Sequence, residues 1–142
     1  MSFLLDTNVV SEWAKQKPDP GVISWLVEAD EDRLFLSAIT LAELRRGIER
    51  LPAGRRRAQL DEWVRHDLPT RFEGRILAVD VAVADAWGRL VARRESAGRT
   101  LHVMDGFIAA IATVHGLTLV TRNVADFDGT VPEIVNPWRV GA

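Results

Sequence analysis

The feature that most constrains this chain is an alternation of two patterns. Short apolar runs at Phe3–Leu5, Leu34–Ser37, Ile76–Val79 and Leu117–Thr121 read as buried strands. Between them lie helical stretches: Val9–Gln16, Gly21–Ala29, Leu41–Leu51, Arg55–Asp67, Val81–Ala97 and Asp105–His115. In Leu41–Leu51 the apolar residues Leu41, Leu44, Ile48 and Leu51 recur at three- and four-residue steps, which makes one buried face. Gly98 and Gly116 stop two of the helices, and Glu133–Val135 reads as a short edge strand. Strands that alternate with helices predict an α/β sandwich in which helices flank a mostly parallel sheet. At 142 residues, with turns but no linker, residues 1–142 read as one domain. Sites in such sheets lie beyond the carboxyl ends of the strands.

Composition removes several chemistries. The chain has no cysteine, which excludes disulfides, thiolate metal sites and cysteine nucleophiles and fits a reducing cytoplasm. Lysine occurs only at Lys15 and Lys17, so no phosphate-binding Gly-Lys-Ser/Thr loop exists. No Gly-x-Gly-x-x-Gly follows a strand, and no Gly-x-Ser-x-Gly elbow is present. His66, His102 and His115 form no close ligand pair. The amino-terminal apolar run ends at Asp6, too short for a secretory leader, and nothing approaches a membrane span. With 18 basic against 20 acidic residues, a partner nucleic acid would need a local basic patch.

Acidic residues gather at the predicted strand ends. Asp6 follows the first run, Glu43 lies early in the helix after the second, and Asp105 opens the helix before the fourth. Asn123 and Asp126 follow Thr121. Each has an alternative reading as a cap or turn residue. Asp6 would cap the helix starting near Val9, and Thr40-Leu41-Ala42-Glu43 matches a capping box. Asp105 would be an N-cap, and Asp126 a turn residue in Ala125–Gly129. Together they predict something else. Like charges on one rim repel and raise one another's pKa, a cost that a bound cation offsets. Oxygen ligands without thiol or imidazole suit Mg²⁺ or Mn²⁺. An aspartyl-phosphate enzyme would need an acid where Asn8 stands, and a receiver domain would need a lysine where Arg122 follows the strand. Hydrolysis by a metal-activated water needs neither.

Four segments then resemble the PIN-domain family, most closely its VapC and FitB branch. They are Leu4–Ser11, Ser37–Gly47, Asp105–Ala110 and Val120–Asn123, and the likeness extends to Asn136-Pro137-Trp138. The resemblance implies a three-layer PIN fold and a Mg²⁺- or Mn²⁺-dependent endoribonuclease toxin. Asp6 and Asp105 match the family's principal metal-binding aspartates, and Glu43 its second acid. Its fourth acidic position is occupied by Asn123, with Asp126 nearby as the replacement. Thr7, Asn8 and Thr121 are expected to support these ligands through hydrogen bonds. Arg122 and Arg46 are candidates for RNA contact. Implied partners are an RNA substrate, a second copy of the chain, and a VapB-like antitoxin, through which alone operator DNA would be bound. The first helices and the helix carrying Arg45 are expected to form the antitoxin groove, with Trp13 or Trp25 exposed in it. Other readings are a PIN nuclease of RNA processing without an antitoxin, and a PIN fold kept only to bind protein.

Overall fold

The computed structural model describes residues 1–139. Five strands carry the fold: β1 (Phe3–Leu5), β2 (Leu34–Ser37), β3 (Ile76–Leu77), β4 (Thr118–Val120) and β5 (Ile134–Val135). Their order is β3-β2-β1-β4-β5, and every pairing is parallel. The helices are α1 (Thr7–Glu12), α2 (Pro20–Glu28), α3 (Ala38–Glu49), α4 (Arg55–Glu62), α5 (Leu68–Arg71), α6 (Val81–Ser96), α7 (Val103–His115) and α8 (Val124–Phe127). The predicted α/β sandwich is therefore the observed one.

Period-two alternation distributes the strand residues between two cores. Leu5, Leu34, Leu36 and Val120 face one side, where they meet Val9, Val22, Leu26, Ile48, Val64, Leu68 and Phe72 from α1 to α5 and their connections. Leu4 and Leu119 face the other, against Val83 and Leu90 of α6, Ile108 and Ile111 of α7, and Phe127 of α8. A strand buried on both faces needs continuous apolar residues, and Phe3-Leu4-Leu5 and Leu34-Phe35-Leu36 supply them.

Side chains set several helix starts. Asp19 accepts from the Val22 N–H at 3.1 Å, and Pro20 follows with its fixed φ. Asp80 accepts from the Val83 N–H at 2.9 Å. α7 ends at Gly116, whose φ of 64° lets the chain turn straight into β4. The helix expected at Arg55–Asp67 is longer. A π-helical turn at Trp63–Asp67 joins α4 to α5 where Pro69 has no N–H to give. Gly106 of α7 is a site of close approach: a Cβ there would lie 2.8 Å from Trp87 Nε1 of α6. Trp87 in turn stacks on Phe107, with centroids 5.0 Å apart.

The strand order has one reversal. The chain leaves β1 toward β2 and β3, then returns across the sheet to place β4 on the other side of β1. The reversal lies between β1 and β4, and ligand crevices of parallel sheets open at such a point. Leu5 pairs with Val120 there, so the next residues, Asp6 and Thr121, stand side by side.

Candidate active site

Asp6 is almost fully buried, at 4% exposure. Its backbone N–H continues the ladder to the Val120 carbonyl at 2.9 Å. Its carboxylate accepts from the Thr7 N–H and from the Thr121 hydroxyl, each at 2.7 Å. The capping reading of Asp6 therefore holds, but Thr7, not Val9, begins α1. Burial pushes the Asp6 carboxyl up to about 6; the Thr121 and Thr7 donors pull it down, and the charges of Asp105 and Glu43 push it up again.

The fully buried Thr121 is a node. It donates to Asp6 and receives the Asn123 N–H at 3.0 Å and the Asn8 amide at 3.4 Å. Asn8 also accepts from the Arg122 N–H at 3.4 Å. The expected supporting role of Thr7, Asn8 and Thr121 thus has a hydrogen-bond pattern behind it.

Glu43 departs from the capping box. The helix begins immediately after β2, so its N-cap is Ser37, whose hydroxyl accepts from the Thr40 N–H at 3.0 Å. Thr40 lies inside α3, and Glu43 lies beyond its first turn. Glu43 is left free to turn to the sheet's end, where Oε1 accepts from the Thr7 hydroxyl at 2.5 Å. Thr7 and Thr40 hydroxyls lie 3.1 Å apart, which links β1, α1 and α3 in one network.

Asp105 is in the first turn of α7 rather than at its cap, which is His102. Its carboxyl is also raised, by desolvation first; nearby His102 opposes this, while Glu43 and Asp126 add to it. Asp126 is likewise not in an open turn but in the first turn of α8, exposed. Asn123 is exposed at the N-cap of α8 and makes no side-chain capping bond. The charges on Asp6, Glu43, Asp105 and Asp126 are coupled in a chain around one rim. Among the described residues, no three His, Cys, Asp or Glu side chains converge closely enough to hold an ion as they stand. The donors offered at the rim are carboxylate and amide oxygens, the chemistry that suits Mg²⁺ or Mn²⁺.

Two grooves flank this rim. On the Thr7 and Glu43 side, an apolar groove of about 270 Å³ runs past Leu44, Ile48, Leu60 and Trp63. Trp63 is the tryptophan that lines it. Trp13 instead packs against Phe72 with Arg71 over its ring, and Trp25 meets Phe3 edge-on. On the Asp105 and Asp126 side, a polar cavity of about 310 Å³ is lined by Arg94, Arg99 and His102. Sequence reading passed over it. The available signal was Arg94 itself, one helical turn past Leu90 on the buried stripe of α6.

The other arginines divide. Arg45 pairs with Asp61 at 2.7 Å, and Arg57 with Glu49 at 2.8 Å, so both belong to a solvated helix face. Arg46 is exposed. Arg122 is exposed beside the rim, with its guanidinium 5.4 Å from the Trp138 ring centroid.

Residues 3–129 match the PIN domain family. The chain belongs to the PIN-domain family. It is 37% identical over 137 residues to the VapC ribonuclease Y4jK of Sinorhizobium fredii, covering 96% of this chain and 98% of that protein. It is likewise 37% identical to toxin FitB of Neisseria gonorrhoeae, covering 96% of this chain and 99% of that one. Among solved structures, FitAB bound to a DNA fragment superposes with a TM-score of 0.90 at 35% identity, over 99% of this chain and 98% of that one. The recognised segments are thus those of the VapC and FitB branch. Among the described residues no helix is long and apolar enough to cross a membrane.

Proposed function

We propose that this PIN domain is a metal-dependent endoribonuclease and the toxin of a toxin–antitoxin pair in the cytoplasm. The observation that carries the reading is Asp6. A carboxylate buried at the sheet's reversal point, fixed by two donors and crowded by Asp105 and Glu43, costs stability, and capping α1 does not require its charge because a neutral Ser, Thr or Asn caps as well. The ribonuclease and toxin relatives give that cost its purpose.

Asp6 and Asp105 would hold Mg²⁺ or Mn²⁺, with Glu43 and either Asn123 or Asp126 completing the protein's share. The bound ion supplies positive charge to the scissile phosphate and a water of lowered pKa. Asp6 cannot swing away, because the Thr7 N–H and the Thr121 hydroxyl each grip one of its oxygens. Glu43 Oε1 accepts from the Thr7 hydroxyl, which fixes the carboxylate where it would either hold the ion or orient the attacking water and take its proton. By likeness to the family, the water oxygen would bond to phosphorus as the bond to the 3′ oxygen breaks; that oxygen would leave with a proton from solvent, and the product would carry a 5′-phosphate. Arg122 and Arg46 would contact the RNA backbone, since a guanidinium fork matches phosphate oxygens.

The groove past Leu44, Ile48 and Trp63 begins at Thr7 and Glu43, so a segment seated in it reaches the acids. The occupant consistent with the FitAB likeness is the end of an antitoxin chain. Homodimers and toxin–antitoxin assemblies on operator DNA follow the same likeness.

The test is cleavage of RNA by purified, antitoxin-free protein with Mg²⁺ or Mn²⁺, with EDTA, and with Asp105→Asn. Metal-dependent cleavage absent from a variant that keeps its circular dichroism spectrum supports the reading. Intact folded protein that neither cleaves RNA nor binds metal overturns it.

A further inference from the structure

The polar cavity beside Asp105 and Asp126 contains an arginine that the fold alone does not explain. Arg94 is 9% exposed. One of its amino groups donates to the Asp128 carbonyl at 3.1 Å, which ties α6 to the end of α8. Its buried Nε has no hydrogen-bond partner among the described residues, and no carboxylate pairs with it there. Burying a guanidinium with a donor unused is costly unless an anion arrives to meet it. Arg94 lines a cavity that also presents exposed Arg99, Thr100 and His102. Asp105 and Asp126 line the same cavity, so it is continuous with the acidic rim.

We propose that this cavity is a subsite for a backbone phosphate of the RNA neighbouring the scissile one, gripped by Arg94 with Arg99 and His102. The inference rests on the nuclease reading above. A phosphate suits the cavity because it accepts several N–H donors at once and in a fork. The carboxylate rim disfavours a free anion, whereas an RNA brings its neighbouring phosphate as part of a chain already held at the acids. The Arg94 tie to Asp128 keeps the guanidinium in place before substrate arrives, so little side-chain freedom is lost on binding. RNA would then cross the end of the sheet from the Arg122 side to the Arg94 side.

The test is fluorescence anisotropy with a short, labelled single-stranded RNA, in EDTA so that nothing is cut, over a series of salt concentrations. Arg94→Gln is expected to weaken binding about tenfold, the scale of one charge-assisted hydrogen bond. Its slope of log affinity against log salt should fall by about 0.7, one phosphate contact on a single strand. Arg99→Gln should move both readouts in the same direction. Arg94→Lys should restore the slope more than the affinity, because it keeps the charge and loses the fork. Arg93→Gln, on the neighbouring exposed position that lines a different groove, should match wild type. A thermal melt accompanies each variant, and if Arg94→Gln does not fold, Arg99→Gln carries the test. Wild-type affinity and slope in Arg99→Gln and in folded Arg94→Gln would overturn the subsite while wild-type cleavage leaves the nuclease reading standing. Loss of antitoxin binding with RNA binding intact would overturn it too. Wild-type protein that neither binds RNA nor cleaves it with Mn²⁺ would overturn both.

Discussion

Asp6 and Asp61 are the same side chain in opposite circumstances. Asp61 lies on the α4 surface, where the Arg45 guanidinium beside it holds its carboxyl below the usual range, with help from Arg65. Asp6 lies at the centre of the sheet, where burial and two other acids hold its carboxyl above that range. One charge is answered by the protein itself. The other is answered only by hydrogen bonds, and is left for something that arrives later. The same division separates Arg45 and Arg57, which have carboxylate partners, from Arg94, which has none among the described residues. Where the fold leaves a charge unanswered, the site begins.

The sharpest way to test that contrast is activity. Asp6→Asn should lower RNA cleavage by more than about a hundredfold in a gel assay, whereas Asp61→Asn should leave the rate at wild type. Next comes stability without metal. Asp6 binds its proton more tightly folded than unfolded, because its carboxyl rises from 3.8 to about 6. Folding therefore takes up protons in that window, and stability should fall as pH rises from about 4 to about 6.5. By pH 7 the cost is on the order of 3 kcal/mol. Urea melts in EDTA across that range measure it, and a flat profile would remove the burial argument. Asp6→Asn, isosteric and neutral, should recover about 1–3 kcal/mol of it at pH 7. Added Mn²⁺ should raise the melting temperature of wild type but not of Asp6→Asn.

Thr121→Val has a smaller expected effect. It deletes a hydroxyl that donates to Asp6 and accepts from Asn123 and Asn8, and should cost about 1–2 kcal/mol in a urea melt at pH 7. It should also shift the pH-dependent loss of stability upward, since one group that lowers the Asp6 pKa is gone. Smallest of all is Asp61→Asn in the same melt. Its midpoint should fall within the scatter of repeat wild-type measurements, and added salt should erase any remainder.

The sequence announced this contrast only in part. Asp6, Glu43 and Asp105 were legible because acids after apolar strand runs stand at one rim in any parallel sheet. Thr121 as a supporting residue followed only from the family resemblance. Glu43 stands at the rim although its local pattern points elsewhere. Thr40-Leu41-Ala42-Glu43 has the spacing of a capping box, but α3 starts without a loop after β2, and Ser37 takes the cap. A strand that runs directly into a helix leaves no turn residues to mark the junction. α8 and the π-helical turn at Trp63–Asp67 were hidden because four- and five-residue elements carry too few positions for a period. Arg94 and Arg93 look alike in the sequence, and only the buried stripe through Val83 and Leu90 tells them apart. Trp13 and Trp25 were expected in the groove that Trp63 lines, because an apolar groove and an apolar core share one residue pattern.

The position of β1 has a consequence for the order of events in the cell. β1 is made before the other four strands of the sheet yet sits in its middle, and the hydroxyl that holds Asp6 lies 115 residues further on. Such a distant pairing is late and slow to form. No truncated or half-made chain can carry the assembled acidic site, because its second wall has not yet been synthesised. If the chain is a ribonuclease, its acidic site cannot act before β4 and Thr121 have been made, so the early part of synthesis passes without an active enzyme.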